Sequence, residues 1–278
     1  MKKQSKKVKN VVVAGKSGAG KQPRIDVLVE EFGLVPLSTG NMFRHYLTLF
    51  DSIGYTISLD EFWSEETKDF VPDHLIKERL DRYLNESGKK GMNHPTLEEL
   101  ILGLKAKYFV EKGLFGPDNL VNKLFKTEFA KRDYRNTVFD GYPRTLKQAD
   151  YLLNLVDEVK TRIDFVLVVD NDDELIIKRT IGRRICPRCG KVYHIEHNPP
   201  GEGGVCKVCG VPVIQRSDDS EEKIKRRLEE FRRKCVPALE YLKERGIPVV
   251  HVPGNIEPFT KENVRKSVLD AISKVVDI

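Results

Sequence analysis

Four cysteines, Cys186, Cys189, Cys206 and Cys209, stand as C-P-R-C and C-K-V-C within one loop, flanked by I-G-R-R and Q-R-S-D-D. A Cys-x-x-Cys pair presents two sulfurs to one ion. Two such pairs complete a tetrahedral thiolate site of the structural zinc type, with no position left for a catalytic water. His194 and His197 fall between the pairs, but four thiolates already fill the shell. The metal is therefore scaffolding, and the paired arginines beside it mark a place where negative charge is held. A second motif, Gly15-Lys16-Ser17-Gly18-Ala19-Gly20-Lys21, follows the apolar run Val11-Val12-Val13-Ala14. Glycines there let backbone N–H groups curl around phosphate oxygens, the next helix presents its positive end, and Lys21 reaches the outer phosphates. Gln22 stands where the general motif has the Ser or Thr that holds magnesium, so the ion has to be held differently. Phe139-Asp140-Gly141-Tyr142-Pro143-Arg144 supplies an acid for hydrated Mg2+ and an arginine for another phosphate group. Leu37-Ser38-Thr39-Gly40-Asn41-Met42-Phe43-Arg44 reads as a capped strand-to-helix turn with Arg44 one turn into the helix. Taken singly, these stretches are a glycine-rich turn, a tight turn and a helix cap.

These residues need a scaffold that brings them together. Residues 11–14, 137–139, 165–169 and 247–250 read as buried parallel strands, with a weaker one at 34–37. Helical patterns run over 24–32, 146–156, 173–181, 220–245 and 261–275. Alternation of this kind predicts an α/β fold with a doubly wound sheet and a ligand site at the carboxyl ends of its strands. Residues 45–135, mostly helical and without a clear strand, and the cysteine loop break the rhythm as inserted lobes.

Composition is that of an intracellular enzyme: 278 residues, 40% hydrophobic, net charge +6. Lys2, Lys3, Lys6, Lys7 and Lys9 form a basic tail over residues 1–9 that reads as solvated. No apolar stretch beyond residues 11–14 follows it, so neither a signal peptide nor a membrane span is expected, and the cytoplasm is the expected compartment. The metal-type cysteine spacing argues against a secreted disulfide scaffold, and Cys235 reads as structural.

In order along the chain, G-x-S-G-A-G-K, L-S-T-G-N-M-F-R, F-D-G-Y-P-R-T-L-K-Q-A, I-G-R-R, K-V-Y-H, N-P-P and Q-R-S-D-D-S-E-E-K-I-K-R-R-L closely resemble adenylate kinase of the long-lid, zinc-binding type. The resemblance covers residues 10–44, roughly 104–256 and, more loosely, the last helix. It implies a P-loop kinase with a five-stranded parallel core, a hinged lid and a monophosphate-binding lobe. The corresponding spans are 10–44, 136–181 and 217–278 for the core, 45–135 for an expanded lobe and 182–216 for the lid. It implies that Gly15, Lys16, Ser17, Gly18, Ala19, Gly20, Lys21 and Gln22 form the ATP phosphate loop, and that Arg179 stacks on the ATP adenine. Arg44 and Arg144 would hold the AMP phosphate, and Thr39 and Gln148 would read the AMP base, with Gly141 beside them. Arg183, Arg216 and Arg227 would surround the transferred group, Asp218 and Asp219 would engage closing lid arginines, and Asp140 would organise magnesium. The implied partners are ATP, AMP and ADP, with Mg2+ and a structural Zn2+, acting as a monomer without membrane or nucleic acid.

The chemistry accounts for arginines without an evident base, because an AMP phosphate is already an anionic nucleophile. The chain departs from the family pattern at Gln22-Pro23, where the family has Gly-Thr, and at Asn41, where it has an aspartate. Pro23 has no N–H to give to phosphate. A kinase of altered nucleotide preference, or a catalytically weak nucleotide sensor, is the alternative these departures raise. One further pattern concerns the lobe: Phe70-Val71-Pro72-Asp73-His74-Leu75-Ile76 is echoed by Phe115-Gly116-Pro117-Asp118-Asn119-Leu120-Val121. The family has one such segment. The second copy follows a stretch resembling the family's helix before the pocket, so Val110, Gly116 and Val121 are expected to contact AMP, with Trp63 to Glu98 as added helical packing.

Overall fold

The computed structural model describes residues 8–56, 58–89, 95–112, 114, 116–216 and 219–276. The chain begins with β1 (Asn10–Ala14), α1 (Lys21–Phe32), β2 (Val35–Ser38) and α2 (Thr39–Asp51). It then runs through β3 (Trp63–Ser64), β4 (Asp69–Phe70), α3 (Asp73–Glu86), α4 (Leu97–Glu111) and α5 (Asp118–Ala130). Next come β5 (Thr137–Asp140), α6 (Leu146–Glu158), β6 (Phe165–Asp170) and α7 (Asp173–Ile181). The short pair β7 (Arg183–Ile185) and β8 (Val192–His194) precedes α8 (Glu221–Glu230), α9 (Val236–Glu244), β9 (Val249–Pro253) and α10 (Lys261–Ile272).

Five strands form one parallel sheet in the order β2-β5-β1-β6-β9. Helices cover both faces, which is why residues 11–14 of β1 and 165–169 of β6 are apolar without interruption. Successive residues face opposite layers. Val12, Phe139, Val166 and Val168 join one apolar cluster, and Val11, Val13, Val138, Phe165 and Leu167 the other. The strand ends Ala14, Ser38, Asp140, Asp170 and Pro253 thus share one edge, the crevice where doubly wound sheets bind ligands.

A third cluster, including Phe50, Phe62, Ile76, Leu80, Leu100, Leu104 and Tyr108, lies apart from the sheet. Thr96 and Glu99 close a capping box at the start of α4. Gly103 lets α4 press on α2, since a Cβ there would stand 2.3 Å from Tyr46 O.

Four expectations need correction. The helical pattern over 220–245 is interrupted by a π-helical turn at Phe231–Cys235, where an extra residue per turn leaves the apolar spacing almost unchanged. Pro248 offers only its carbonyl, to Val166 N, so β9 starts at Val249 and extends to Pro253. The last helix ends at Ile272 rather than Val275. Within 45–135, β3 and β4 form a two-residue hairpin too short for alternation to reveal, so the 63–98 stretch is not purely helical. Among the described residues, no helix is long and apolar enough to cross a membrane. The tail lysines Lys2, Lys3, Lys6 and Lys7 lie outside the described residues.

Candidate active site

The glycine loop leaves β1 and lies flat on the end of β6. Gly15 holds φ at 144°, and a Cβ there would stand 2.6 Å from Val169 O. Gly20 caps α1 with φ 94° and no side-chain bond, so the first N–H groups of the helix stay open to an anion. Lys21 curls back, its Nζ donating to Gly15 O and Lys16 O at 3.0 Å each. The residue is half-buried, but its ammonium sits under the loop. Burial pulls its pKa from 10.5 down to about 8, with Arg144 and Arg227 adding to the fall while Asp140 and Cys235 oppose it. Asp140, Arg144 and Arg227 therefore lie close enough to act on Lys21.

The remaining loop residues are held from outside. Lys16 Nζ donates to Asp173 Oδ1 at 2.6 Å and Asn171 O at 3.2 Å, Ala19 N donates to Lys16 O, and Ser17 is half-buried beside Gly18. A Cβ on Gly18 would stand 2.5 Å from Thr180 Oγ1 on α7. Gln22 Nε2 donates to Asp26 Oδ1 at 2.8 Å, one turn on along α1. Pro23 fits within the first turn of α1 without disturbing it.

At the end of β5, Gly141 adopts φ 72° so that Arg144 folds over it, with Arg144 Nε donating to Gly141 O at 2.7 Å. Thr39 Oγ1 donates to the same carbonyl at 2.8 Å. Gln148 is buried, accepting from Arg144 N at 2.8 Å and donating to Asp118 Oδ1 at 2.9 Å. Arg44 donates to Asn41 Oδ1 at 2.6 Å, so Asn41 serves the arginine from one turn away. Gly116 lies against Phe43, 2.4 Å from where its Cβ would be, and near Val121. Asp118 also accepts from Thr145 Oγ1 at 2.7 Å. The second Pro-Asp segment thus docks against Phe43, Thr145 and Gln148. The first segment sends Ile76 into the separate apolar cluster. Val110 is half-buried on the last turn of α4.

Arg183 grips the fully buried Asp219 with both prongs, Nε to Oδ2 at 2.9 Å and the second nitrogen to Oδ1 at 2.5 Å. Arg216 lies beside it, its carbonyl accepting from Asp219 N. Asp218 lies outside the described residues. Arg179 donates to Gly254 O at 3.5 Å and to Asn255 Oδ1, in the loop after β9. Arg227 is on α8, and its neighbour Arg226 donates to Lys112 O at the end of α4.

The cysteine loop contains two like knuckles. Cys186 N donates to Lys191 O and Gly190 N to Cys186 O; Cys206 N donates to Val211 O and Gly210 N to Cys206 O. The Sγ separations are 3.3 Å for Cys186–Cys209, 3.6 Å for Cys189–Cys206 and 3.7 Å for Cys189–Cys209. A tetrahedral S4 shell with bonds of about 2.3 Å places its sulfurs about 3.8 Å apart. All four sulfurs lie within 4.8 Å of one another, so the thiols fit one tetrahedral ion after small shifts. Burial alone would raise the Cys206 thiol, but hydrogen bonds from Tyr193 Oη and Val208 N outweigh it and bring the pKa down to about 6. His194 stands apart from the cluster, its Nδ1 accepting from Glu196 N at 3.1 Å and His197 N at 3.2 Å.

Three residues at the site escape sequence reading. Cys235 lies in the π turn within electrostatic reach of Lys21 and Arg144; burial pushes its thiol up to about 11. Arg24 is fully buried, bracing Gly20 O at 3.1 Å and Pro253 O at 2.6 Å. Asp118 has the role just described. Only Asp118 left a signal, in the repeated Pro-Asp pattern, and that pattern reads as a helix start.

A glycine loop on a five-stranded parallel sheet, facing a carboxylate, several arginines and a four-thiol loop, defines a P-loop phosphotransferase of the α/β class. A family model described as Adenylate kinase matches residues 91–247. The chain is 42% identical over 153 residues to an adenylate kinase of Caldicellulosiruptor bescii, covering 55% of this chain and 71% of that one. It is 31% identical over 243 residues to an adenylate kinase of Caldicellulosiruptor saccharolyticus, covering 87% and 90%. It is also 31% identical over 266 residues to one of Bacillus velezensis, covering 95% and 100%. The chain belongs to the adenylate kinase family.

Proposed function

We propose that this protein transfers the γ-phosphoryl group of Mg-ATP reversibly to AMP, giving two ADP. The observation that carries the reading is the cluster of Lys21, Asp140, Arg144 and Arg227 at the carboxyl edge of the sheet, close enough that the others shift the ionisation of Lys21. One phosphate chain lies on the backbone of Gly15 to Gln22 under Lys21, with the adenine on Arg179. The acceptor lies across the edge, its phosphate on Arg44 and Arg144 and its base near Thr39, Val110, Gly116, Gly141, Val121 and Gln148. Arg183, Arg216 and Arg227 spread charge on the moving group. No base is required, because the attacking phosphate is already anionic; alignment and electrostatic stabilisation supply the rate.

Asp140 suits the hydrated Mg2+ that arrives with ATP, since that ion keeps several waters and needs few carboxylates. When bound, the ion would supply positive charge that offsets the charge of the ATP phosphates. Zinc is the ion assigned to Cys186, Cys189, Cys206 and Cys209, as a tetrahedral all-thiolate shell favours it. The same reading makes 182–216 a lid whose closure excludes water, with 45–135 as the monophosphate lobe and 10–44, 136–181 and 217–278 as the core. A steady-state panel of ATP and GTP against AMP, GMP, CMP and UMP, with Lys21→Ala as blank, tests it. Lys21-dependent turnover greatest for ATP with AMP is the expected result; none with any pair refutes the reading.

A further inference from the structure

The amide of Gln148 is held at both ends. Its Oε1 accepts the backbone N–H of Arg144 at 2.8 Å, and its Nε2 donates to Asp118 Oδ1 at 2.9 Å. A backbone N–H only donates and a carboxylate only accepts, so these partners permit one amide orientation and oppose the flipped one at both atoms. Asp118 is itself anchored. Thr145 Oγ1 donates to the same oxygen at 2.7 Å, and Val121, Leu124 and Phe125 bury the helix that Asp118 opens. Gln148 is 1% exposed, so water cannot readily compensate for a mismatch. After these bonds, one N–H on Nε2 and one lone pair on Oε1 remain.

Resting on the functional reading above, in which Gln148 reads the acceptor base, that remaining edge is the one left for the base. Adenine offers a ring acceptor beside an exocyclic donor, whereas a 6-oxopurine offers a ring donor beside a carbonyl acceptor. The locked amide matches the first and opposes the second at both positions. We propose that Asp118 is a specificity-positioning residue: by pinning Nε2 of Gln148 it fixes the amide edge presented to the base and excludes 6-oxopurine monophosphates. Without the carboxylate, the amide turns over with a mismatch only at Arg144 N. Sites that reject a ligand by leaving buried polar groups unpaired discriminate strongly, and one relieved mismatch has a measurable effect.

The test is kcat/KM for AMP and for IMP at saturating Mg-ATP, in wild type, Asp118→Asn and Asp118→Ser. Both replacements can donate as well as accept, so neither dictates the amide orientation. IMP differs from AMP at the two atoms in question and adds no bulk. The expected result is an AMP-to-IMP ratio that narrows about tenfold or more, with KM for ATP within about twofold of wild type. Melting temperature identifies which variant is folded, and either one supplies the ratio. AMP and IMP falling together at an unchanged ratio would make Asp118 a packing residue and overturn the proposal. Failure of wild type to use AMP would instead refute the functional reading, and the inference with it.

Discussion

Nucleotide binding should drive proton uptake through Lys21. In the free protein, burial holds its pKa near 8 rather than 10.5. A bound triphosphate brings several negative charges to the ammonium and restores the ordinary value. In the free protein half of the Lys21 population is uncharged at about pH 8, so binding there takes up about 0.5 proton per site, against about 0.1 at pH 7 and about 0.9 at pH 9. Stability follows with a definite sign. The folded pKa lies below the unfolded one, so the unfolded chain binds more protons between about pH 8 and 10.5, and Lys21 makes the free protein more stable as pH rises through that window. The penalty is fully present below about pH 8 and amounts to at most roughly 3 kcal/mol, less what water recovers for a half-buried residue. Calorimetric titration with ATP in buffers of different ionisation enthalpy measures the uptake, and Lys21→Met subtracts every other group. Equal heats in all buffers at pH 8, or the same uptake in Lys21→Met, would refute the argument.

Metal analysis should find about one zinc per chain, and stripping it should lower the melting temperature by several degrees while changing kcat at 25 °C less than about twofold. Free thiols in metal-free protein purified without chelator would contradict this. Val121→Trp should raise KM for AMP about tenfold or more and leave KM for ATP nearly unchanged. Ile76→Trp, which overfills the separate cluster around Phe62 and Leu80, should cost about 1–3 kcal/mol of stability without selective damage to AMP use. The reverse pattern would assign the pocket to the first Pro-Asp segment.

The sheet was legible because residues 11–14 of β1 and 165–169 of β6 are apolar on both faces and a helical pattern follows each, which depends on little beyond local sequence. The thiolate loop was legible because paired cysteines separated by two intervening residues have few other uses. The hairpin at Trp63 and Phe70 was not, since two residues per strand carry no periodicity. The π turn at Phe231–Cys235 hid for a related reason: one extra residue barely disturbs a helical pattern, yet it brings Cys235 within electrostatic reach of Lys21 and Arg144. Asp118 and Arg24 owe their roles to partners 30 and 229 positions away, and no spacing rule encodes such contacts.

Single-turnover transfer from ATP labelled at the γ-phosphate tests the central claim most directly. With AMP present, label should pass to the β-position of newly formed ADP, and Lys21→Ala, Arg144→Ala and Arg227→Ala should each remove most of that transfer. Without AMP, little inorganic phosphate should appear, because charge stabilisation and water exclusion serve the nucleotide acceptor. Label released as inorganic phosphate at the same rate with or without AMP, or transfer undiminished in Lys21→Ala, would contradict the account.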